Sequence, residues 1–350
     1  MKNLGAGKLP PDMLKRLLEK HIPKLYKSNP DLARRVIVQP APGEDAAVIM
    51  GPAEPGRIVV TSDPITFIAE DLGWYAVHIN ANDIAAMGGE PEFLVLVVLM
   101  PAEDADIGGV ARILSDATEA CAELGVLLIG GHTEITPAVR RPIAVGHMLG
   151  SVPHDRILSS ANARAGEEIL LTKGYPVEGI AVMAAMARDK VLTSFGREFH
   201  ERCRGFVKDP GISVVPDSRA LRLAAGGLNA KLGALHDPTE GGLATGLREV
   251  AEASGLGLMI EGDKLPLIPE GEALCRCLRL DPLGVIASGS LIATCDAGMG
   301  EAIAREVAGS GIPCEVIGRM TENSGQFILR TTSGTKPLPR FEVDEVTLLL

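Results

Sequence analysis

A chain of 350 residues with 46% hydrophobic and 3% aromatic side chains has room for two ordinary domains and a core of Val, Ile, Leu and Ala that needs no disulfide staple. Its net charge of −11 and pI near 5.2 exclude the basic patches that bind nucleic acid or anionic membrane without specificity. No apolar signal core opens the sequence, and its longest apolar run, residues 93–100, is far short of a bilayer span, so a cytoplasmic protein is expected. A mean hydropathy of +0.19 points to apolar surface covered by a second copy, a homodimer.

In chain order, Pro10 and Pro11 precede Leu14, Leu17, Leu18 and Ile22, the spacing of an amphipathic helix opened by proline. Strands are expected at 46–50, 58–61 and 93–100, and helices over 71–87 and 104–124. A short buried strand at 126–129 should stop on Gly130 and Gly131, with a further strand over 142–150. Turn formers at 151–155 then mark a boundary, giving domains 1–155 and 156–350. The second half restarts with a strand at 168–172, helices near 178–188 and 240–254, and strands near 256–260, 291–294 and 314–317. Two α/β halves of comparable size is the coarse reading. The six cysteines include no Cys-x-x-Cys pair, so neither a zinc site nor a disulfide framework is signalled.

Acidic or phosphate-facing groups recur where apolar runs stop. They are Gly43-Glu44-Asp45, Thr61-Ser62-Asp63-Pro64, Asn80-Ala81-Asn82-Asp83, Gly130-Gly131-His132-Thr133-Glu134 and His236-Asp237-Pro238-Thr239-Glu240-Gly241-Gly242. A hard cation such as Mg²⁺ takes oxygen ligands from a few carboxylates and from substrate phosphates, which makes Asp45, Asp63, Asp83 and Asp237 a candidate metal set. Glycine beside them lets backbone N–H groups approach a phosphate. Each motif also has a bland reading. Asp63 before Pro64 is a turn former, and Asp237 with Pro238 and Glu240 looks like a capping-box helix start. Asn80 and Asn82 can simply bond to backbone. Asp83 is a poor helix former beside the apolar Ile84, Ala85, Ala86 and Met87, and a carboxylate on a packed surface calls for a partner. No Gly-x-x-x-x-Gly-Lys-Ser/Thr occurs, so a nucleotide site here is not a P-loop.

Taken in this order, the motifs resemble the aminoimidazole-ribonucleotide synthetase-related superfamily, which includes selenophosphate synthetase, thiamine-monophosphate kinase and the hydrogenase-maturation factor HypE. The likeness runs from Gly5 to about Leu338. It is strongest to the HypE branch, because Gly5-Ala6-Gly7-Lys8-Leu9 is similar to its glycine-rich amino terminus and Asp237-Pro238-Thr239-Glu240-Gly241-Gly242-Leu243 to its Asp-x-Thr-x-Gly-Gly segment. The resemblance implies an α/β (α+β) fold of two domains, an N-terminal mixed sheet with helices that dimerises and a C-terminal α/β sandwich. It implies ATP and Mg²⁺ as cofactors, with Asp45, Asp63, Asp83 and Asp237 on the metal. Gly5, Gly7, Lys8, Asn82, Gly131, Thr133, Lys173 and Thr239 are then the candidate nucleotide contacts, and Lys8 and Asp83 the candidate catalytic pair. His132 is left outside the set, since neutral imidazole suits Mg²⁺ poorly.

One departure bears on function. HypE tails end in a cysteine that carries a carboxamide, which ATP-dependent dehydration converts to a thiocyanate. This sequence ends Asp344-Glu345-Val346-Thr347-Leu348-Leu349-Leu350, and its last cysteine is Cys314. The expectation is therefore a HypE-like, ATP-dependent enzyme that phosphorylates an amide or carbonyl oxygen of an unknown acceptor without a self-carried cysteine, with a maturation protein as a possible partner. The other readings are a nucleotide-responsive scaffold without turnover and a small-molecule kinase resembling thiamine-monophosphate kinase. His132 and the Asp237 segment count against the kinase.

Overall fold

The computed structural model describes residues 34–38, 43, 44, 46–51, 56–66, 70–103, 105–153 and 155–350, with a few isolated positions before residue 42. Gly5, Gly7, Lys8 and Asp45 lie outside these residues, as does most of the expected first helix.

The first half is a six-stranded sheet built from β1 (Val36–Val38), β2 (Ala47–Met50), β3 (Gly56–Ile65), β4 (Glu90–Pro101), β5 (Leu127–Thr136) and β6 (Ile143–Pro153), in the order β1-β2-β3-β6-β4-β5. Helices α1 (Leu72–Ala86) and α2 (Ile107–Leu124) belong to this half. Strict alternation fixes which face they cover. Along β6, Ala144, Gly146, Met148, Gly150 and Val152 are buried while Val145, His147 and Leu149 are only half-buried. Small residues set the distance: a Cβ on Gly146 would stand 2.3 Å from Asn80 Nδ2, and one on Gly73 2.0 Å from the Ile113 carbonyl oxygen. Helix α1 therefore lies directly on β6 and against α2. It is buried on nearly every side, because the second half covers what the sheet leaves open.

The second half contains β7 (Glu168–Thr172), α3 (Val177–Met186), α4 (Arg188–Gly205), α5 (Val215–Gly227), β8 (Leu232–His236), α6 (Gly242–Ser254), β9 (Gly257–Glu261), α7 (Pro269–Leu278), β10 (Ile292–Cys295), α8 (Gly300–Gly309), β11 (Cys314–Thr321), β12 (Phe327–Thr331) and β13 (Gly334–Pro337). Its seven strands run in the order β13-β12-β9-β11-β7-β10-β8. The two halves are joined through α1. Asn82 donates to the Ile212 carbonyl at 2.9 Å and accepts from the Val214 N–H at 2.8 Å, and the Ser218 hydroxyl donates to the Ala85 carbonyl at 2.8 Å.

Two local expectations are corrected. Strand β5 does not stop at Gly130-Gly131 but continues through His132, Thr133 and Glu134 to Thr136, paired in parallel with β4. Helix α6 does not start on Asp237: its first residue is Gly242, its cap is Gly241 at φ 79°, and the N–H of Gly241 donates to Asp344 Oδ2 at 2.7 Å. The capping carboxylate thus comes from the far end of the chain. All six cysteines are free thiols.

Candidate functional site

Strand β3 and helix α1 bring the first acidic groups together. The odd positions of β3 face α1, so Thr61 and Asp63 meet the residues one helical turn apart that cross them. The Thr61 hydroxyl donates to Asp83 Oδ2 at 2.5 Å. The Asp63 N–H donates to Asn80 Oδ1 at 2.9 Å, and Asn80 Nδ2 returns to the Asp63 carbonyl at 3.3 Å and to the Ala76 carbonyl at 2.8 Å. Asn80 therefore does what its bland reading expects and holds β3 against α1. Asp83 is buried, and Asp63 half-buried.

The carboxyl end of α1 leads to Asp237. The Leu158 N–H bonds the Met87 carbonyl, and the Leu235 N–H bonds the Leu158 carbonyl, which ties α1 to β8. Asp237 follows β8 directly and is buried. Beside it, His236 Nε2 lies 3.0 Å from Glu249 Oε2, and the Ser160 hydroxyl 3.4 Å from His236 Nδ1. The segment before Asp45 reaches the same place: both Glu44 carboxylate oxygens accept from the Ser159 hydroxyl at 2.8 and 2.9 Å, and a Cβ on Gly43 would meet the Glu249 carbonyl oxygen at 2.9 Å. Among the described residues, no three His, Cys, Asp or Glu side chains gather closely enough to hold a metal on their own.

The other candidates separate from this group. Asp63, Gly146, Leu96 and Gly131 form one row across β3, β6, β4 and β5. Three strand spacings put Gly131 about 14 Å from Asp63 within one chain. Thr133 sits further along that same edge strand, exposed, with His132 and Glu134 beside it. Thr239 lies in the turn before α6, its carbonyl accepting from the Gly242 N–H at 3.0 Å. Two further candidates bond within the protein. The Lys173 side chain is 7% exposed; its ammonium pairs with Asp217 Oδ2 at 2.9 Å and donates to the Ser213 carbonyl at 2.5 Å. Asn82 spends both ends of its amide on the Ile212 and Val214 backbone, which clamps the two halves together.

Sequence reasoning passed over a second set of polar groups. Glu178, in the first turn of α3, is buried, and burial pushes its carboxyl up to about 7, helped by the charges of Asp344 and Glu240. Burial likewise raises Asp344 to about 6 against the backbone N–H groups that bind it. The loop carrying Ser288 is pressed between the starts of α3 and α6. A Cβ on Gly179 would stand 2.6 Å from the Ile286 carbonyl oxygen, and one on Gly242 2.6 Å from that of Val285. Glu178 stood in the sequence as a single charge inside Pro176-Val177-Glu178-Gly179-Ile180-Ala181-Val182-Met183, and an acid in so apolar a run is the signal that could have found it.

The model of the AIR synthase related protein N-terminal domain matches residues 43–152, and that of its C-terminal domain residues 164–330. The chain belongs to the AIR synthase related family. Within it the likeness is to HypE proteins. The carbamoyl dehydratase HypE of Rhizobium leguminosarum bv. viciae is 30% identical over 309 residues, 83% of this chain and 81% of that protein. The carbamoyl dehydratase HypE of Cupriavidus necator is 29% identical over 305 residues, covering 83% and 81%. A solved HypE–HypF complex contains a chain that shares the two-domain fold at a TM-score of 0.70 and 22% identity, over 91% of this chain and 99% of that one.

Proposed function

We propose that the protein is an ATP-dependent enzyme of HypE type that binds Mg-ATP and transfers the γ-phosphoryl group to the oxygen of an amide or carbonyl acceptor. What supports this reading is that Asp63 on β3, Asp83 on α1 with its Thr61 hydrogen bond, and Asp237 after β8 come in the family's order, with β3 bonded to α1 and α1 tied to β8 through Leu158. Relatives named carbamoyl dehydratase favour a carboxamide acceptor. With such an acceptor the γ-phosphoryl moves to the amide oxygen and ADP leaves; loss of phosphate and the two N–H protons would leave a nitrile.

The donor set is all oxygen, which fits Mg²⁺, and when bound the ion would neutralise phosphate charge. Asp63, Asp83 and Asp237 are the groups of this chain that would hold it, with Asp45 as a fourth. Thr61 fixes the Asp83 carboxylate and Asn80 fixes the β3 backbone at Asp63, so the acids are oriented by the fold before nucleotide arrives. Gly131 and Thr133 are proposed as phosphate contacts only at the far edge of the sheet. Strand β5 leaves Leu127, Ile129 and Ile135 largely exposed on that edge, the surface that a second copy would cover in a homodimer. No helix among the described residues is long and apolar enough to cross a membrane.

The Asp83→Asn protein tests the reading. ADP release from Mg-ATP in the presence of a primary carboxamide should fall by about 100-fold or more, with the fold intact by circular dichroism. A rate within about twofold of the parent would overturn the assignment of Asp83.

A further inference from the structure

The turn that carries Asp237 is held on several sides. Asp237 follows β8, which pairs with β10. Pro238 lies against α6, where a Cβ on Gly246 would stand 2.7 Å from Pro238 Cβ. The Thr239 carbonyl accepts from the N–H groups of Gly242 at 3.0 Å and of Ala287 at 3.4 Å. Gly241 and Gly242 then take left-handed φ values of 79° and 67°, which lets the chain pass from the turn into α6. Neither position has room for a side chain: a Cβ on Gly241 would meet Thr245 Oγ1 at 2.4 Å, and one on Gly242 the Leu283 carbonyl oxygen at 2.5 Å.

Residues 338–350 supply a further hold. Leu338, Asp344 and Val346 are 1%, 2% and 0% exposed, so this segment is built into the second half. Arg248 of α6 donates to the Leu338 carbonyl at 2.7 Å and to the Pro339 carbonyl at 3.2 Å. The Phe341 ring covers Gly284, where a Cβ would stand 2.5 Å from ring carbons, and Glu345 Oε2 accepts from the Asp281 N–H at 2.9 Å. These contacts deliver Asp344 to the turn. Its Oδ2 accepts from the Gly241 N–H at 2.7 Å, its Oδ1 from the Val346 N–H at 2.9 Å, and its carbonyl from the Thr347 hydroxyl at 2.6 Å.

The first N–H groups of a helix have no partner within it, and Gly241, at the cap of α6, is buried from water. A carboxylate binds such an N–H more strongly than a neutral acceptor does, and holding two N–H groups at once fixes where it stands. Asp237 and Gly241 are four positions apart, with the fixed ring of Pro238 between them, so a shift at Gly241 is passed on to Asp237. We infer that Asp344 is a positioning residue for the metal: through Gly241 it holds the turn from which Asp237 would reach the cation of the proposed Mg-ATP site. It need touch neither metal nor nucleotide. This inference deepens the function proposed above and rests on it.

The experiment is calorimetric titration of the full chain with ATP, once with Mg²⁺ and once with EDTA; the ratio of the two affinities is the strengthening that the metal supplies. Asp344→Ala should cut this ratio about tenfold or more, the scale on which groups that orient a metal ligand act. Asp344→Asn should cut it about threefold or less, since its amide oxygen still accepts from the Gly241 N–H. Asp237→Asn should lower the ratio as well, and adding Asp344→Ala to it should lower it no further, because both changes act on one carboxylate. Glu345→Ala is the control: it loosens the same segment at Asp281 without touching the turn, and should leave the ratio within about twofold of the parent.

A cap with a purely structural role would lower the melting temperature in Asp344→Ala and leave the ratio alone. That result, a loss that adds in full to that of Asp237→Asn, or an equal loss in Glu345→Ala overturns the positioning role and leaves the nucleotide reading standing. If the alanine protein does not fold, Asp344→Glu carries the test, because the extra methylene displaces the carboxylate from Gly241; an unmoved ratio there overturns the role. A parent protein that binds ATP no better with Mg²⁺ sinks both the role and the nucleotide reading.

Discussion

The Asp217→Asn protein is expected to lose about 3–5 kcal/mol of unfolding free energy. Lys173 and Asp217 form a buried ion pair, their side chains 7% and 0% exposed with 2.9 Å between Nζ and Oδ2. Removing one partner leaves an uncompensated charge in a low-dielectric interior, which costs far more than the intact pair contributes. Lys173 sits at φ 58° just past β7, so the pair also fixes an unfavourable backbone turn against the Gly211 and Ser213 carbonyls. A Lys173→Met, Asp217→Leu double variant should recover most of the loss, because no charge is then stranded. Urea denaturation followed by circular dichroism measures both proteins. A single-variant loss below about 1 kcal/mol would show that the pair is not buried as described. The double variant should also keep its affinity for Mg-ATP, since the ammonium is committed to Asp217.

Glu178→Gln should remove much of the pH dependence of stability between about pH 5 and 7.5. Burial raises the folded-state value of Glu178 from 4.5 to about 7, with Asp344 and Glu240 adding to the effect. A raised acid binds its proton more tightly in the folded state. The stability it confers is therefore complete below the unfolded value and is lost as pH climbs through about 7. Above that pH the loss amounts to about 3 kcal/mol. Asp344, raised from 3.8 to about 6, adds loss of the same sign over a lower range. The parent should accordingly melt at a lower temperature at pH 8 than at pH 5.5, and the glutamine protein should melt higher than the parent at pH 8. Thermal scans across that range decide it; an unchanged slope in the variant would mean that Glu178 is not the titrating group.

Much of the first half was legible because one rule governed it. Strands β3, β4 and β6 alternate, and α1 fills the gap between two expected strands, so pattern and packing agree. The glycine pair at 130–131 misled because glycine ordinarily breaks a strand, whereas here Gly131 presses against β4, with only 2.0 Å between a built Cβ and the Leu96 carbonyl oxygen. Helix α4 was missed since its sequence is polar, interrupted by Gly196 at φ 82°, and largely exposed.

At the site, the need of Asp83 for a partner was legible because it is a carboxylate beside the apolar Ile84, Ala85, Ala86 and Met87, whereas its actual partner, the Thr61 hydroxyl, is set by the crossing of β3 and α1. Lys173 and Asn82 could not be read the same way. Asp217 and Val214, which occupy them, lie 44 and 132 positions away in the chain, and only the packing of the two halves selects those partners. The same holds for Asp344 on Gly241: a helix cap supplied from 103 residues downstream leaves no local signature.

The central claim is a Mg-ATP site assembled by β3, α1 and the end of β8. Calorimetric titration of the purified protein with ATP, with and without Mg²⁺, tests it most directly. The account predicts saturable binding that depends on Mg²⁺ and is lost in Asp63→Ala; absence of binding under either condition, or equal binding by the Asp63→Ala protein, would contradict it.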